Sequence, residues 1–267
     1  MHPGLKVATA YSLPSFSLGF CGPQDPTSRR ILSDYAFGKS VSEKKIREIF
    51  EKFESAYPYY KLIAKKNGIA DPLDKKVVKA FWVGNNLLEK VDGNDLRNLI
   101  LTGFCRPGLL TRGEAKEKAA QVPPEAHPHH SFHVLVIGAV SERITLKGAM
   151  LDLCRTGWGR VSEVKNRSLR NSKLSVSQYS RVLRPLRGLE KLQVTSKSLV
   201  LGRNITLGKE VEKEVEWSRE FVQNIKKGDW VSFHWGQACE ILIPQEVKNL
   251  EYYTQKTIDL VNFNKRL

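Results

Sequence analysis

Two short segments of this chain carry side chains suited to metal chemistry. Leu-Asp-Leu-Cys-Arg-Thr-Gly-Trp-Gly-Arg-Val (151–161) supplies a thiol, Cys154, and Lys-Lys-Gly-Asp-Trp-Val-Ser-Phe-His-Trp-Gly (226–236) supplies an imidazole, His234. A soft thiolate and a neutral imidazole on one surface suit a transition metal such as iron, and zinc and nickel accept the same donors. Arg155 and Arg160, close in sequence to Cys154, are expected to lower its pKa and favour the metal-binding thiolate. A further concentration of donors is His-Pro-His-His-Ser-Phe-His (127–133), four of the chain's six histidines. On a strand, His129, Ser131 and His133 would share one face and His130 and Phe132 the other. His129, His130 and His133 are therefore candidate additional ligands, of which only a subset could reach one ion. The competing reading is a packed structural thiol at 154 and a satisfied core histidine at 234. No acidic residue lies nearer the histidine tract than Glu125, which weighs against a hydrolytic zinc site. Cys21 sits in a tight-turn sequence, Gly-Phe-Cys-Gly-Pro, where a thiol could be reactive. There is no phosphate-cradling glycine loop, Gly-x-Ser-x-Gly elbow or paired acid motif, so the pattern favours an accessory protein over an enzyme.

The elements that must position these groups read as helices followed by strands. Residues 1–30, rich in Gly, Pro and Ser, read as an irregular lead-in. Residues 31–121 read as an all-helical module: Ser42 begins a helix whose Ile46, Ile49, Phe50 and Phe53 recur at helical spacing. Further helices are expected over Tyr59 to Asn67, from Asp71-Pro72 onward, over Asn94 to Phe104, and over Arg112 to Gln121. Three prolines within 121–128 mark a boundary. Residues 122–150 then read as a His-rich linker with the first strands, among them Phe132 to Val140 and Arg143 to Leu146. Residues 151–267 read as a small antiparallel barrel. Its expected strands are Trp158 to Val164, Val182 to Leu186, Leu192 to Ser196, Leu199 to Leu201, Val211 to Trp217, Trp230 to Trp235 and Ala238 to Ile243. Pro244 suits the first position of a closing helix. The fold class is α+β.

Cys154-Arg-Thr-Gly-Trp-Gly-Arg-Val resembles the opening Cys-x-x-x-Pro-Gly-x-Val of the HypC/HupF hydrogenase-maturation chaperones. Gly228-Asp-Trp-Val-Ser-Phe-His-Trp-Gly is similar to their Gly-Asp-[Tyr/Trp]-Val-x-x-His-x-Gly segment. The resemblance implies an OB-like barrel with a C-terminal helix. It also implies that Cys154 and His234 hold an iron fragment bearing diatomic ligands, and a protein partner that is a maturation factor or the large subunit of nickel–iron hydrogenase. This sequence departs from that pattern in three ways: the cysteine is internal, Trp158 stands where the family has proline, and the basic stretch 168–203 lengthens the interval between the motifs. The whole chain, through Tyr57-Pro-Tyr-Tyr-Lys-Leu-Ile-Ala, Asp71-Pro-Leu-Asp, Trp82-Val-Gly-Asn and His129-His-Ser-Phe-His-Val, also resembles an uncharacterised prokaryotic family of unknown function.

Composition bounds these expectations. With 41% apolar and 27% charged residues, the 267-residue chain has the balance of a globular protein. The net charge is +15, and residues 155–210 contribute thirteen Lys or Arg against three Glu. Such a bias fits either a solvated basic face or a surface for nucleic acid. An RNA-binding OB-like module is therefore the alternative function. Arg155, Arg160, Arg181, Arg184, Arg187 and Trp235 are the residues expected to meet a partner or nucleic acid. No apolar run approaches a membrane span, and Pro3, Gly4 and Pro14 interrupt any signal-peptide core. Four scattered cysteines make no disulfide framework, so a cytoplasmic protein is expected.

Overall fold

The protein is described by a computed structural model, which covers residues 2–140, 144–165 and 190–264. It is a mixed α+β chain. Its helices are α1 (Pro3–Ser17), α2 (Pro26–Ala36), α3 (Glu43–Glu51), α4 (Tyr57–Lys66), α5 (Lys75–Trp82), α6 (Gly93–Leu99), α7 (Arg112–Ala120), α8 (His130–Phe132), α9 (Ala149–Cys154) and α10 (Pro244–Asn264). The strands are β1 (Ala139–Val140), β2 (Ile144–Thr145), β3 (Gly157–Lys165), β4 (Glu190–Leu201), β5 (Ile205–Trp217), β6 (Trp230–His234) and β7 (Gln237–Leu242). Among the described residues no helix is long and apolar enough to cross a membrane.

The segment expected to be irregular, residues 1–30, instead contains α1 and the start of α2. Pro3 occupies the first helical turn, where its missing N–H costs nothing, and the His2 ring accepts the Leu5 N–H as a cap. Twelve of the fifteen residues of α1 are buried, so the helix has no polar face to betray it by periodicity. Its hydroxyls bond back to helix carbonyls, Thr9 to Leu5 and Ser15 to Ser12, which lets polar residues enter the core. α1 packs on α5 and α2 and also touches β6 and β7, so the N-terminal helix reaches the strands.

The other helices follow the sequence closely, with local differences. Ser42 stands at the N-cap of α3 but makes no side-chain cap bond. Asp71 opens no helix. Its carboxylate takes a bidentate bond from Arg47, while Asp74 caps α5. The expected strand over Phe132 to Val140 is instead α8 and a π-helical turn, His133–Ile137, closed by Gly138 at φ 65°. A short apolar run such as Val-Leu-Val-Ile does not distinguish a strand from a buried helical segment.

β3 to β7 pair in the closed order β3-β4-β5-β7-β6. All pairings are antiparallel except a single parallel pair, Glu216 with Gln237, between β5 and β7. The two expected strands 192–196 and 199–201 are one strand with a bulge between Lys197 and Leu199. The expected strand over Val182 to Leu186 lies outside the described residues. β6 and β7 are joined by Trp235 and Gly236, both at positive φ, 51° and 76°. This is the backbone twist that favours two-residue hairpin loops. Trp235 holds this disfavoured conformation while its N–H bonds the Leu153 carbonyl and its ring stacks on Phe20 at 4.4 Å. α10 begins at Pro244, as expected.

One hydrophobic cluster runs from Leu5 on α1 through Trp82 and Val231 to Tyr253 on α10. The tightest joint in it is Gly4, where an added Cβ would lie 1.8 Å from the Leu73 carbonyl oxygen. Gly4→Ala must push α1 away from the segment preceding α5, a strain of about 1–3 kcal/mol. Its urea midpoint is expected to fall with the slope unchanged; an unaltered midpoint would mean that α1 is not seated this way.

Candidate metal centre

His130, Cys154 and His234 converge in the interior. One donor atom from each lies within 4.8 Å of the other two, and all three residues are buried. Each arrives on a different element. His130 is the first residue of α8, Cys154 the last of α9, and His234 the last of β6. Trp82, at the end of α5, packs against both imidazoles, with ring centroids 4.2 Å from His130 and 5.1 Å from His234.

The hydrogen bonds set the orientation of both rings. His234 Nδ1–H donates to the Tyr11 carbonyl at 2.6 Å, and His130 Nε2–H donates to the Cys154 carbonyl at 2.8 Å. A neutral imidazole has one N–H, so in each ring the other nitrogen carries a lone pair. Those nitrogens, His234 Nε2 and His130 Nδ1, are buried and make no hydrogen bond of good geometry. Burial pushes the His234 pKa down to about 4, against the opposing pull of the Tyr11 and Cys154 carbonyls. Burial, then the charges of His234 and His133, hold His130 well below its ordinary value. Both rings are therefore neutral at physiological pH, the state in which imidazole binds metals. A metal-ligating histidine ordinarily gives its second nitrogen's proton to a carbonyl or carboxylate, and both rings have that arrangement.

The expectation for the thiol is reversed. Burial raises the Cys154 pKa well above its ordinary value, the Cys21 thiol adds in the same direction, and only the Trp235 indole opposes. Arg155 does not act as an activating cation. It is itself buried and ion-paired to Asp152, which also bonds Lys213 and the Leu199 N–H. Its guanidinium lies over the Trp158 ring. Proximity in sequence placed the charge correctly, but the charge is spent on clamping α9 to β4 and β5.

The residue set chemically fits a metal. In a tetrahedral site with metal–nitrogen and metal–sulfur bonds of about 2.0–2.3 Å, donors stand roughly 3.3–3.6 Å apart. Closing the observed group onto an ion therefore takes a contraction of at most about 1.5 Å. One thiolate with two imidazoles suits iron, zinc, nickel and copper.

The other expected site residues fall elsewhere. His129 caps α8 through the Ser131 N–H and stacks on Tyr253, with burial pushing its pKa down to about 3. His133 meets the Tyr59 hydroxyl at 3.3 Å. Neither belongs to the His130–Cys154–His234 group. The helical turn replaces the strand alternation, so His130, not His129 or His133, joins Cys154. Among the residues expected to meet a partner or nucleic acid, Arg155 and Trp235 are buried and unavailable to one, while Arg160 is exposed. Arg181, Arg184 and Arg187 lie outside the described residues. Sequence reasoning assigned no role at the site to the Tyr11 carbonyl or to Trp82. A backbone acceptor leaves no mark in residue type.

No curated protein and no solved structure matches this chain. A model of a family of unknown function, DUF6390, matches residues 1–185 and 178–267. The helical segment that brings His130 falls in the first matched segment and the strand that brings His234 in the second. The chain belongs to this family of unknown function.

Proposed function

We propose that this chain is a metal-binding accessory protein of the metallochaperone kind, holding iron through Cys154, His234 and His130. The observation that carries the reading is a pair of imidazoles each held by a backbone carbonyl, in a buried group that brings one donor atom of each ring and the Cys154 sulfur within 4.8 Å of one another. A buried ring nitrogen without a hydrogen-bond partner costs roughly 1–3 kcal/mol. An ion bound there offsets that cost. The likeness of the Cys154 and His234 motifs to those of the hydrogenase-maturation chaperones favours iron over zinc or nickel. It also favours a role in assembling nickel–iron hydrogenase or a related cofactor, with a protein partner receiving the metal.

When bound, the metal supplies Lewis acidity and a place to hold small ligands. The chain's own residues orient the donors and seal them. Tyr11 and Cys154 carbonyls orient the two rings. Trp82 and Trp235 exclude water from the donors.

Protein expressed and purified anaerobically with added iron is expected to carry one iron per chain. Cys154→Ala and His234→Ala should lose it while keeping the wild-type circular dichroism, and His130→Ala should bind about 10–100-fold more weakly. Wild-type protein that stays metal-free with iron, zinc and nickel alike would contradict the reading. Metal uptake near pH 7 should also release one proton, because the raised Cys154 thiol is protonated beforehand. Calorimetric titrations in two buffers of different ionisation enthalpy measure this count. Uptake without proton release would remove Cys154 from the ligand set.

A further inference from the structure

A cleft of about 770 Å³ opens where α1, the end of α2, the start of α5, β7 and residues 220–223 meet, and none of His130, Cys154 and His234 lines it. That volume falls in the range of small-ligand sites, roughly 300–1,000 Å³. Its walls are largely apolar: Val7 and Ala10 from α1, Phe37 after α2, Phe221 and Val222 before β6, and Ile241 on β7. The Phe37 and Phe221 rings meet edge to face at 5.8 Å, which joins two separate segments in one wall. Ile241 is one of the large apolar side chains left exposed.

The charges on this cleft differ in burial. Glu240 is partly buried, and its carboxylate accepts from Lys79 Nζ at 3.2 Å and from the Tyr11 hydroxyl at 3.3 Å. Lys79 also pairs with Glu246, so two carboxylates share one ammonium and the trio keeps one negative charge. Burial raises the Glu240 pKa, Lys79 and more weakly Lys75 oppose it, and Glu246 adds to the rise. Such a carboxylate gains from a further cation, and its two oxygens can accept more bonds than they make here. Lys6 and Lys75 line the same cleft and are exposed, as is Glu220. The exposed edge therefore carries an excess of positive charge and the partly buried wall an excess of negative charge, with apolar surface beside both.

We propose that this cleft binds a small apolar zwitterion, a free apolar amino acid or dipeptide. Its ammonium pairs with Glu240, its carboxylate with Lys6 and Lys75, and its side chains lie against Val7, Phe221 and Val222. The binding does not depend on a metal at the His130–Cys154–His234 group.

Isothermal titration of the full-length protein with leucine, leucyl-leucine, and the N-acetylated and C-amidated form of each tests this. At least one free form should bind, and the tighter of the two shows whether an amino acid or a dipeptide fits. Blocking either end of that ligand should weaken binding about tenfold or more. Glu240→Gln should weaken the free ligand by a similar factor and leave the N-acetylated form unchanged. The double variant Lys6→Ala/Lys75→Ala, at two exposed positions, should do the same for the free and C-amidated forms, and serves if Glu240→Gln fails to fold. No binding of either free form up to about 10 mM would overturn the proposal. So would blocked forms that bind as tightly as the free ones, or variants that weaken free and blocked ligands alike.

Discussion

Two backbone carbonyls, those of Tyr11 and Cys154, set what the interior of this protein can do. Each accepts the single N–H of a neutral buried imidazole, and so decides which nitrogen of His234 and of His130 keeps its lone pair. The rest of the architecture can be read as the means of delivering those acceptors. α1 is buried on nearly every side and carries the Tyr11 carbonyl to the end of β6. α9 ends at Cys154, so one residue gives its side chain and its carbonyl to the same centre. The Trp235–Gly236 turn holds the end of β6 in place, through the bond from Trp235 N–H to the Leu153 carbonyl.

Sealing the donors has two opposed consequences. Burial keeps the imidazoles neutral, which favours a metal, and keeps the thiol protonated, which opposes one until the proton leaves. A cation arriving at the centre reverses the second effect, because it stabilises the thiolate where solvent cannot. On the proposed metal-binding reading, burial would favour an ion that binds thiolate strongly over hard cations that prefer oxygen.

Much of the strand half was legible in the sequence, because turns, alternation and Pro244 each have a local physical cause. Cys154 and His234 stood out for the residue types around them, and the structure brings them together. His130 was legible only as one of several histidines. Choosing it required knowing that 130–137 is helical, and a run of Val, Leu, Val and Ile reads equally well as a strand. α1 was hidden for a related reason: a helix buried all round has no polar face, and Pro3, Gly4 and Pro14 argued against it. Arg155 was misread because sequence gives the sign of a neighbouring charge but not its burial or its partner. The basic residues 166–189 lie outside the described structure, so their contribution to the +15 charge has no structural account.

X-ray absorption at the metal edge of the anaerobically loaded protein tests the central claim most directly. One sulfur at about 2.3 Å and the outer-shell scattering of two imidazole rings are expected. A shell of oxygen and nitrogen alone, with no sulfur, would contradict the convergence of Cys154, His130 and His234 on one ion.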